Sequence, residues 1–579
     1  MSLSTPPAWR VPVFVTLVLG MCTTKTCLAA NKFLAESNAS VNGKAFKEEI
    51  MNAMGSMLGC GGQASPSHVA DITRVLTPMW QTLPKIYERI DRRSLRYLAH
   101  RYFMQTSSIM VRGFEPTRSV NESHWGVADV MSQMVPAYVE SVLDAKHNTQ
   151  HGFSLQDAVD MVLMLDQLIF DSESANLESV YHRQGKSVHQ SLSFRDIKEV
   201  FEEYMIKWMV DADPKEHEML VANKSLMPEV LPHYHDLMKF AEGQIKSFEF
   251  KRQRPWTTTR TSQRSQSEDR LSLMYSFQDA HEIAGRITNS FQSYWQSECE
   301  SMKVALVGMD SRKTGRVPLS KFYNTAVNSD WRFGESETYL RELGALDESS
   351  KRMGPQVIIP NYLQATSNCI VSTPHYHVCC VNECEYLLSE IELAISAPAA
   401  LPDDILNVIR TMSVATTLDD DAPPRTDRRL VSDLEQIAQT HRGLVPLHGR
   451  LFAQWLHYVF PRECPFPHKV GMVSSVTPVE HRQAIATAEE MKKHAANASA
   501  FDFIDTVSEE ELHWMSQWSE EEELLLNYSS ELNSSWGSLL FIVLGILLVG
   551  IGGWAGVISV GQSKGKQTEI DLSTKSHFV

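Results

Sequence analysis

The chain has 579 residues, 43% of them hydrophobic and 21% charged, with 70 Asp and Glu against 54 Lys and Arg for a formal charge of −16. Twelve Trp, 16 Tyr and 23 Phe exclude wholesale disorder, which requires few large apolar side chains. The acidic balance counts against a nucleic-acid binder, and the length admits more than one core.

Residues 1–29 read as a signal peptide. An apolar stretch at 11–21 follows Arg10, and Cys27, Leu28, Ala29 and Ala30 place small residues at a cleavage site. An uncleaved anchor is the alternative. A helical N-terminal region is expected over 30–250, because apolar residues recur at helical spacing in 72–101, 138–143, 156–170 and 196–209. Pro78 and Pro84 interrupt the first of these. Residues 251–270, KRQRPWTTTRTSQRSQSEDR, lack any apolar period and read as a basic polar linker.

Residues 271–418 are expected to form a second helical domain. Phe277, Ile283, Ile287, Phe291 and Tyr294 line one side of a long helix, which leads into Asp310, Thr314, Gly315 and Val317. A calcium loop needs oxygen ligands at its first, third and fifth positions, glycine at the sixth and a bidentate Glu at the twelfth. On these residues the segment resembles an EF-hand. The resemblance implies a calcium site on Asp310 and Thr314, or a purely structural hand, with Arg312 and Lys321 standing where ligands belong. Residues 144–157 and 181–196 share the rhythm, so EF-hand-like helix–loop–helix units are expected to recur. No cofactor other than calcium is implied.

Signal cleavage would leave seven cysteines, four of them between Cys369 and Cys384. Cys379 and Cys380 are adjacent, and a vicinal bridge strains the backbone. Separate partners are therefore expected from Cys299, Cys369, Cys384 and Cys464, forming a disulfide-stapled segment. His375 and His377 beside these sulfurs could instead hold zinc, although the spacing matches no standard zinc pattern. The helix after Cys384 is expected to carry Glu390 and Glu392 on its wet face. Residues 419–429 form an acidic, proline-containing linker.

A C-terminal helical subdomain is expected over 430–500, with helices at 430–438, 451–459 and 479–496. His457 and His468 could sit near Cys464, but each is read there as a structural cap or an exposed histidine. Residues 501–538 form an acidic stalk, in which Trp514 and Trp518 share a helical side and suit docking. The stretch 539–560 is uncharged for 22 residues, about 33 Å as a helix, and reads as a transmembrane span. Lys564, Lys566 and Lys575 in the tail 561–579 favour a cytoplasmic end. Gly552 and Gly556 have the spacing of a helix-pairing face and suggest a homodimer. Asn38, Asn121, Asn223, Asn497, Asn527 and Asn533 are candidate glycosylation sites, all preceding the span.

The Ile-Pro-Asn-Tyr stretch at 359–362, the cysteine block at 379–384 and the Phe-Pro-Arg-Glu-Cys-Pro stretch at 460–465 resemble uncharacterised single-pass membrane proteins of unicellular algae. That resemblance implies one joined module over 271–467 and no mechanism. No Gly-x-Ser-x-Gly, His-Glu-x-x-His or phosphate-loop pattern occurs. The expected fold is mainly α: a helical ectodomain with one C-terminal transmembrane helix. The expected protein is a type I membrane glycoprotein with a non-enzymatic structural or ligand-binding ectodomain, its bulk lumenal or extracellular, at the plasma membrane or an endomembrane. Its partner is the lipid bilayer, its ligand is not named, and no nucleic acid is involved. A calcium-binding membrane protein of EF-hand type and a lumenal enzyme are the alternatives.

Overall fold

The computed structural model describes residues 66–112, 114–115, 152–210, 214–227, 234–253, 274–323, 333–350, 354–373, 375–412, 426–474, 476–477, 481, 483–496, 515 and 517–525. All belong to one compact unit spanning 1–525; no residue of the second unit, 526–579, is among them.

The N-terminal part is built from helices α1 (Pro66–Thr82) and α2 (Arg92–Ser107), the short strand β1 (Ile109–Val111), and helices α3 (Leu155–Arg183), α4 (Phe194–Met209), α5 (Pro214–Ala222), α6 (Tyr234–Gln253) and α7 (Phe277–Met309). Three of these helices start in the same way. Ser154, Ser193 and Ser276 each accept a backbone N–H three residues on, from Asp157, Asp196 and Asp279, and each Asp returns a bond to the serine's own N–H. This reciprocal box satisfies donors that a helix start leaves open. The residue before each serine is extended and apolar. Phe153 exchanges both backbone bonds with Ile90, at 2.8 and 2.9 Å, and Leu192 does so with Tyr275, at 2.8 Å each.

The pattern continues along the chain. Strand β2 (Arg316–Pro318) leads into α8 (Leu319–Tyr323); α9 (Glu337–Glu342) and β3 (Leu346–Asp347) precede β4 (Gln356–Ile358) and α10 (Ile359–Leu363). These strands form an antiparallel sheet in the order β2-β4-β3, with Val317 opposite Val357. Strands β5 (Val371–Ser372) and β6 (Tyr376–Val378) return to the N-terminal part, where Met110 of β1 lies opposite His377. Next come α11 (Glu383–Ile395), β7 (Ala399–Ala400), α12 (Pro402–Thr411), α13 (Arg428–Thr440), β8 (Val445–Pro446), α14 (Arg450–Val459) and α15 (Ala488–Ala496). Ala400 pairs with Val445. Four antiparallel contacts thus join helix–strand–helix units two by two.

Three apolar clusters carry most of the burial. The first fills α1–α7 and takes in Val371, Tyr376 and Val378 from the β5–β6 hairpin. The second surrounds Trp455, whose Nε1 donates to Leu430 O at 2.7 Å. The third lies between the end of α7 and β2–β4. At about 1.5–3 kcal/mol for each fully buried large side chain, burial of this kind is the main force holding the units together.

Several expectations are corrected here. Among the described residues no helix is long and apolar enough to cross a membrane. Even the longest, α7, carries Asp279, Glu282, Arg286, Glu298, Glu300 and Lys303. The expected span 539–560, its glycines Gly552 and Gly556, the tail 561–579 and the signal segment 1–29 lie outside the described residues. The fold with a transmembrane helix, the type I membrane protein, the bilayer as partner and the helix-paired dimer are therefore dropped. So is the resemblance to algal membrane proteins. Of the glycosylation candidates, Asn38, Asn121, Asn497, Asn527 and Asn533 also lie outside. Asn223 opens a short 3-10 turn, and its Oδ1 accepts from Ser225 Oγ at 2.6 Å. No described feature supports the glycoprotein reading.

The EF-hand reading fails on geometry. Asp310 is buried, with Oδ1 taken by Thr314 N at 3.0 Å and Oδ2 by Gly315 N at 2.9 Å and Arg462 Nε at 3.1 Å. A guanidinium sits where a cation would bind, so Thr314 and Asp310 close the loop on themselves. Gly315 has φ +71°, and a Cβ there would lie 1.8 Å from Pro461 O. Glycine is required for close approach of chain rather than for an ion. No group of three or more His, Cys, Asp or Glu that could hold a metal occurs among the described residues. The helix expected over 479–496 begins only at Ala488.

Candidate functional site

A half-open cleft of about 870 Å³ lies between α2, α11, α14 and the segment 465–476. Its walls follow from helical periodicity. Tyr97, His100 and Met104 recur at i, i+3 and i+7 on one side of α2, and Glu385 and Leu388 stand at i and i+3 on α11. Leu456 of α14, Phe466 and Met472 complete the apolar lining.

Disulfides hold these walls. Cys384 at the start of α11 is bonded to Cys464, 80 residues on, beside Pro465 of the opposite wall. Cys369 is bonded to Cys379, and this pair packs on Met104 and Met110, both in the lining. Cys299 of α7 is bonded to Cys380. The adjacent Cys379 and Cys380 thus have separate partners, and all six sulfurs are engaged, which removes the thiolates zinc would need.

Polar side chains fasten the wall further. Asn361 donates Nδ2 to Gly344 O and Phe466 O, at 3.0 and 2.9 Å, and accepts Phe466 N at 2.7 Å. Gln364 donates to Val381 O at 2.9 Å, and Thr366 Oγ1 to Val476 O at 3.1 Å. His468 Nε2 lies 2.7 Å from Gly344 O, and buried His457 has Nδ1 2.7 Å from Cys464 O. Both histidines are structural.

Behind the wall lies a buried ionic knot. Arg101 donates Nε to Glu385 Oε2 at 2.6 Å, and its Nη1 and Nη2 both reach Glu392. Glu392, expected on a wet face, is fully buried, because α11 packs on α1 and α2 and turns that side inward. Glu390 is exposed. His448 Nε2 is 2.9 Å from Thr82 Oγ1 and 3.4 Å from Glu392 Oε1, while its Nδ1 is 3.3 Å from Tyr97 OH. Burial, reinforced by Arg101, drives His448 well below the ordinary histidine range. Burial works against the charge of Arg101, but the two carboxylates outweigh it and hold the guanidinium above its usual value. Burial pushes Glu385 up against the pull of Arg101.

Two further histidines stand at this end. His100 opens partly onto the cleft but lies deep in the protein; burial and then Arg101 lower it to about 4. His375 is buried beside Arg112 and is likewise lowered to about 4, burial again being the larger cause. Each has an Nδ1 without a hydrogen-bond partner among the described residues. His377, also buried, has Nδ1 3.0 Å from Ser372 Oγ.

The sequence reading singled out the cysteines, His457 and His468 of this region. It missed Tyr97, His100, Arg101, Glu385 and His448 as a group. The available signal was Glu385 and Glu392 at i, i+7, which marks one helical face but not its partner. No protein-family model, curated protein or solved structure matches the chain.

Proposed function

We propose that this protein is a binding module whose disulfide-held cleft takes an amphipathic small molecule. The observation that carries the reading is the pair of bridges Cys384–Cys464 and Cys369–Cys379 on the walls of a cavity of about 870 Å³. That size lies within the roughly 300–1,000 Å³ of small-molecule sites. Cross-linked walls lose little freedom on binding, so apolar contact converts more fully into affinity. Met104, Met110 and Met472 give an adaptable, polarizable lining. Binding is favoured over catalysis because His100 is kept neutral by burial, Glu385 is tied to Arg101 and Cys384 is oxidised.

The test is titration of the oxidised full chain with a neutral apolar fluorophore, N-phenyl-1-naphthylamine. One saturable site is expected, lost in Leu388→Trp and Met472→Trp, which fill the cleft from opposite walls. Unchanged binding in both variants, with folding intact by circular dichroism, would reject the cleft as the site.

A further inference from the structure

The wall at 465–476 is pinned on either side of a turn. Before it, Phe466 N donates to Asn361 Oδ1 at 2.7 Å and His468 Nε2 lies 2.7 Å from Gly344 O. After it, Ser474 N donates to Glu342 O at 2.8 Å. Between these pins the chain folds back on itself: Met472 N donates to Lys469 O at 3.1 Å, and Gly471 has φ +82°, which favours glycine. Met472 lines the cleft from this turn, yet it is 70% exposed.

The acidic segment 517–525 holds the turn. Glu523 Oε2 accepts Val470 N at 3.2 Å, and Glu521 pairs with Lys469. The other Glu523 oxygen accepts Arg93 Nη2 at 2.6 Å, and Arg93 lies one turn of α2 before Tyr97, a lining residue. A single carboxylate therefore joins α2 to the turn at 469–472. Arg93 and Glu523 are both partly exposed, and an ion pair of that kind is weak and screened by salt. An exposed turn held in this way opens more readily than the packed helices beside it.

We propose that residues 469–472 form a flap over the cleft and that Glu523 is its latch. The ligand enters and leaves when the Arg93–Glu523 contact opens, and Met472 folds onto the ligand's apolar surface when the contact forms again. A methionine in water gains by such burial, and its flexible thioether follows the shape it meets. The latch rests on the cleft reading above and adds the control of traffic through it, as loops that gate binding sites do.

The experiment is stopped-flow mixing of N-phenyl-1-naphthylamine with the oxidised full chain and with Arg93→Ala, in about 0.05 M and about 0.5 M sodium chloride. Arg93→Ala frees the latch from α2 and touches neither the lining nor the acceptor of Val470 N. Association and dissociation are both expected to be about threefold faster in the variant at low salt, with Kd unchanged. The parent should approach the variant at high salt. Hydrogen exchange at 469–472, followed without the fluorophore, should also be faster in Arg93→Ala. Equal rates, unchanged exchange, or an effect on dissociation alone overturns the latch and leaves the cleft standing. If Arg93→Ala fails to fold by circular dichroism, the parent decides: rates that do not rise with salt overturn the latch. If the fluorophore does not bind the parent, the cleft reading falls and the latch with it.

Discussion

Arg93 and Glu523, 430 residues apart, meet at 2.6 Å, and Arg93 Nη1 also donates to Leu524 O at 3.1 Å. Arg93 lies one turn before Tyr97 on α2, so the acidic segment 517–525 is fastened to the helix that lines the cleft. The other Glu523 oxygen accepts Val470 N at 3.2 Å, while Glu522 accepts Leu451 N at 3.0 Å and lies 3.0 Å from His441 Nε2. One strap thereby joins α2, α14 and the wall at 465–476.

Glu522 acts as a remote cap for α14, whose own N-cap, Gly449, has no side chain to offer. Glu522→Ala is expected to lower stability by about 1 kcal/mol, the usual value of a lost N-cap. Glu523→Gln should cost less, because its pair with Arg93 is half exposed. Urea unfolding of the two variants measures both; an unchanged midpoint for Glu522→Ala would mean that the strap does not cap α14.

His100 and His375 contribute to the acid limit of stability. Both are held at about 4 in the fold, against about 6.5 in an unfolded chain. Between those values the unfolded chain binds protons that the folded one refuses. Their contribution is complete above pH 6.5 and is lost as pH falls towards 4. His375→Gln should remove on the order of 2–3 kcal/mol of the decline between pH 7 and 4.5. Parallel pH-dependent slopes for variant and parent would contradict this.

Glu173 acts in the opposite sense. It is buried among the core helices, accepts Tyr376 OH at 3.1 Å, and is raised by burial to about 8. A raised carboxyl favours the fold below its unfolded value near 4.5, and the contribution is lost as pH rises through 8. Glu173→Gln keeps the group neutral at every pH. It should match the parent at pH 5 and exceed it by on the order of 3 kcal/mol at pH 9. Thermal unfolding at the two pH values decides; a variant less stable at pH 9 refutes the assignment.

Asp310 is expected to be structural. Asp310→Asn leaves Arg462 without its carboxylate and should cost about 3 kcal/mol, the scale of breaking a buried ion pair from one side. Millimolar calcium should leave the melting temperature of the parent unchanged, since Oδ2 already accepts Gly315 N and Arg462 Nε. A calcium-dependent rise would show that an ion displaces the guanidinium.

The double variant Cys384→Ser, Cys464→Ser should lose roughly 2–5 kcal/mol of stability. The same change should weaken fluorophore binding more than loss of Cys299–Cys380, which lies away from the lining. Equal affinity in both double variants would separate the cleft from its bridge.

Local features were legible in advance because they depend on neighbours in the chain. The apolar period marked α4 to within two residues at its start, since a helical face repeats every three to four positions. The run Phe-Ser-Leu-Gln-Asp at 153–157 returns as Leu-Ser-Phe-Arg-Asp at 192–196 and Tyr-Ser-Phe-Gln-Asp at 275–279. It encodes an extended residue followed by a capping box, and comparing the three would have exposed the repeated unit. Of the pair expected to share a helical side, Trp514 lies outside the described residues, and Trp518, in a non-helical segment, packs on Tyr458 with ring centroids 5.9 Å apart.

Composition and periodicity by themselves determined a helical protein with a cysteine-rich staple, because short-range sterics and hydrogen bonds govern those features. Only the tertiary structure decided that Arg462 would fill the Asp310 loop, that Glu392 would turn inward to Arg101, and that α2 would face α11 across a cleft. Residues 284 apart, as Arg101 and Glu385 are, carry no mutual signal in the chain. Their meeting follows from how whole helices pack, where each buried face is chosen by the volume and charge of every other.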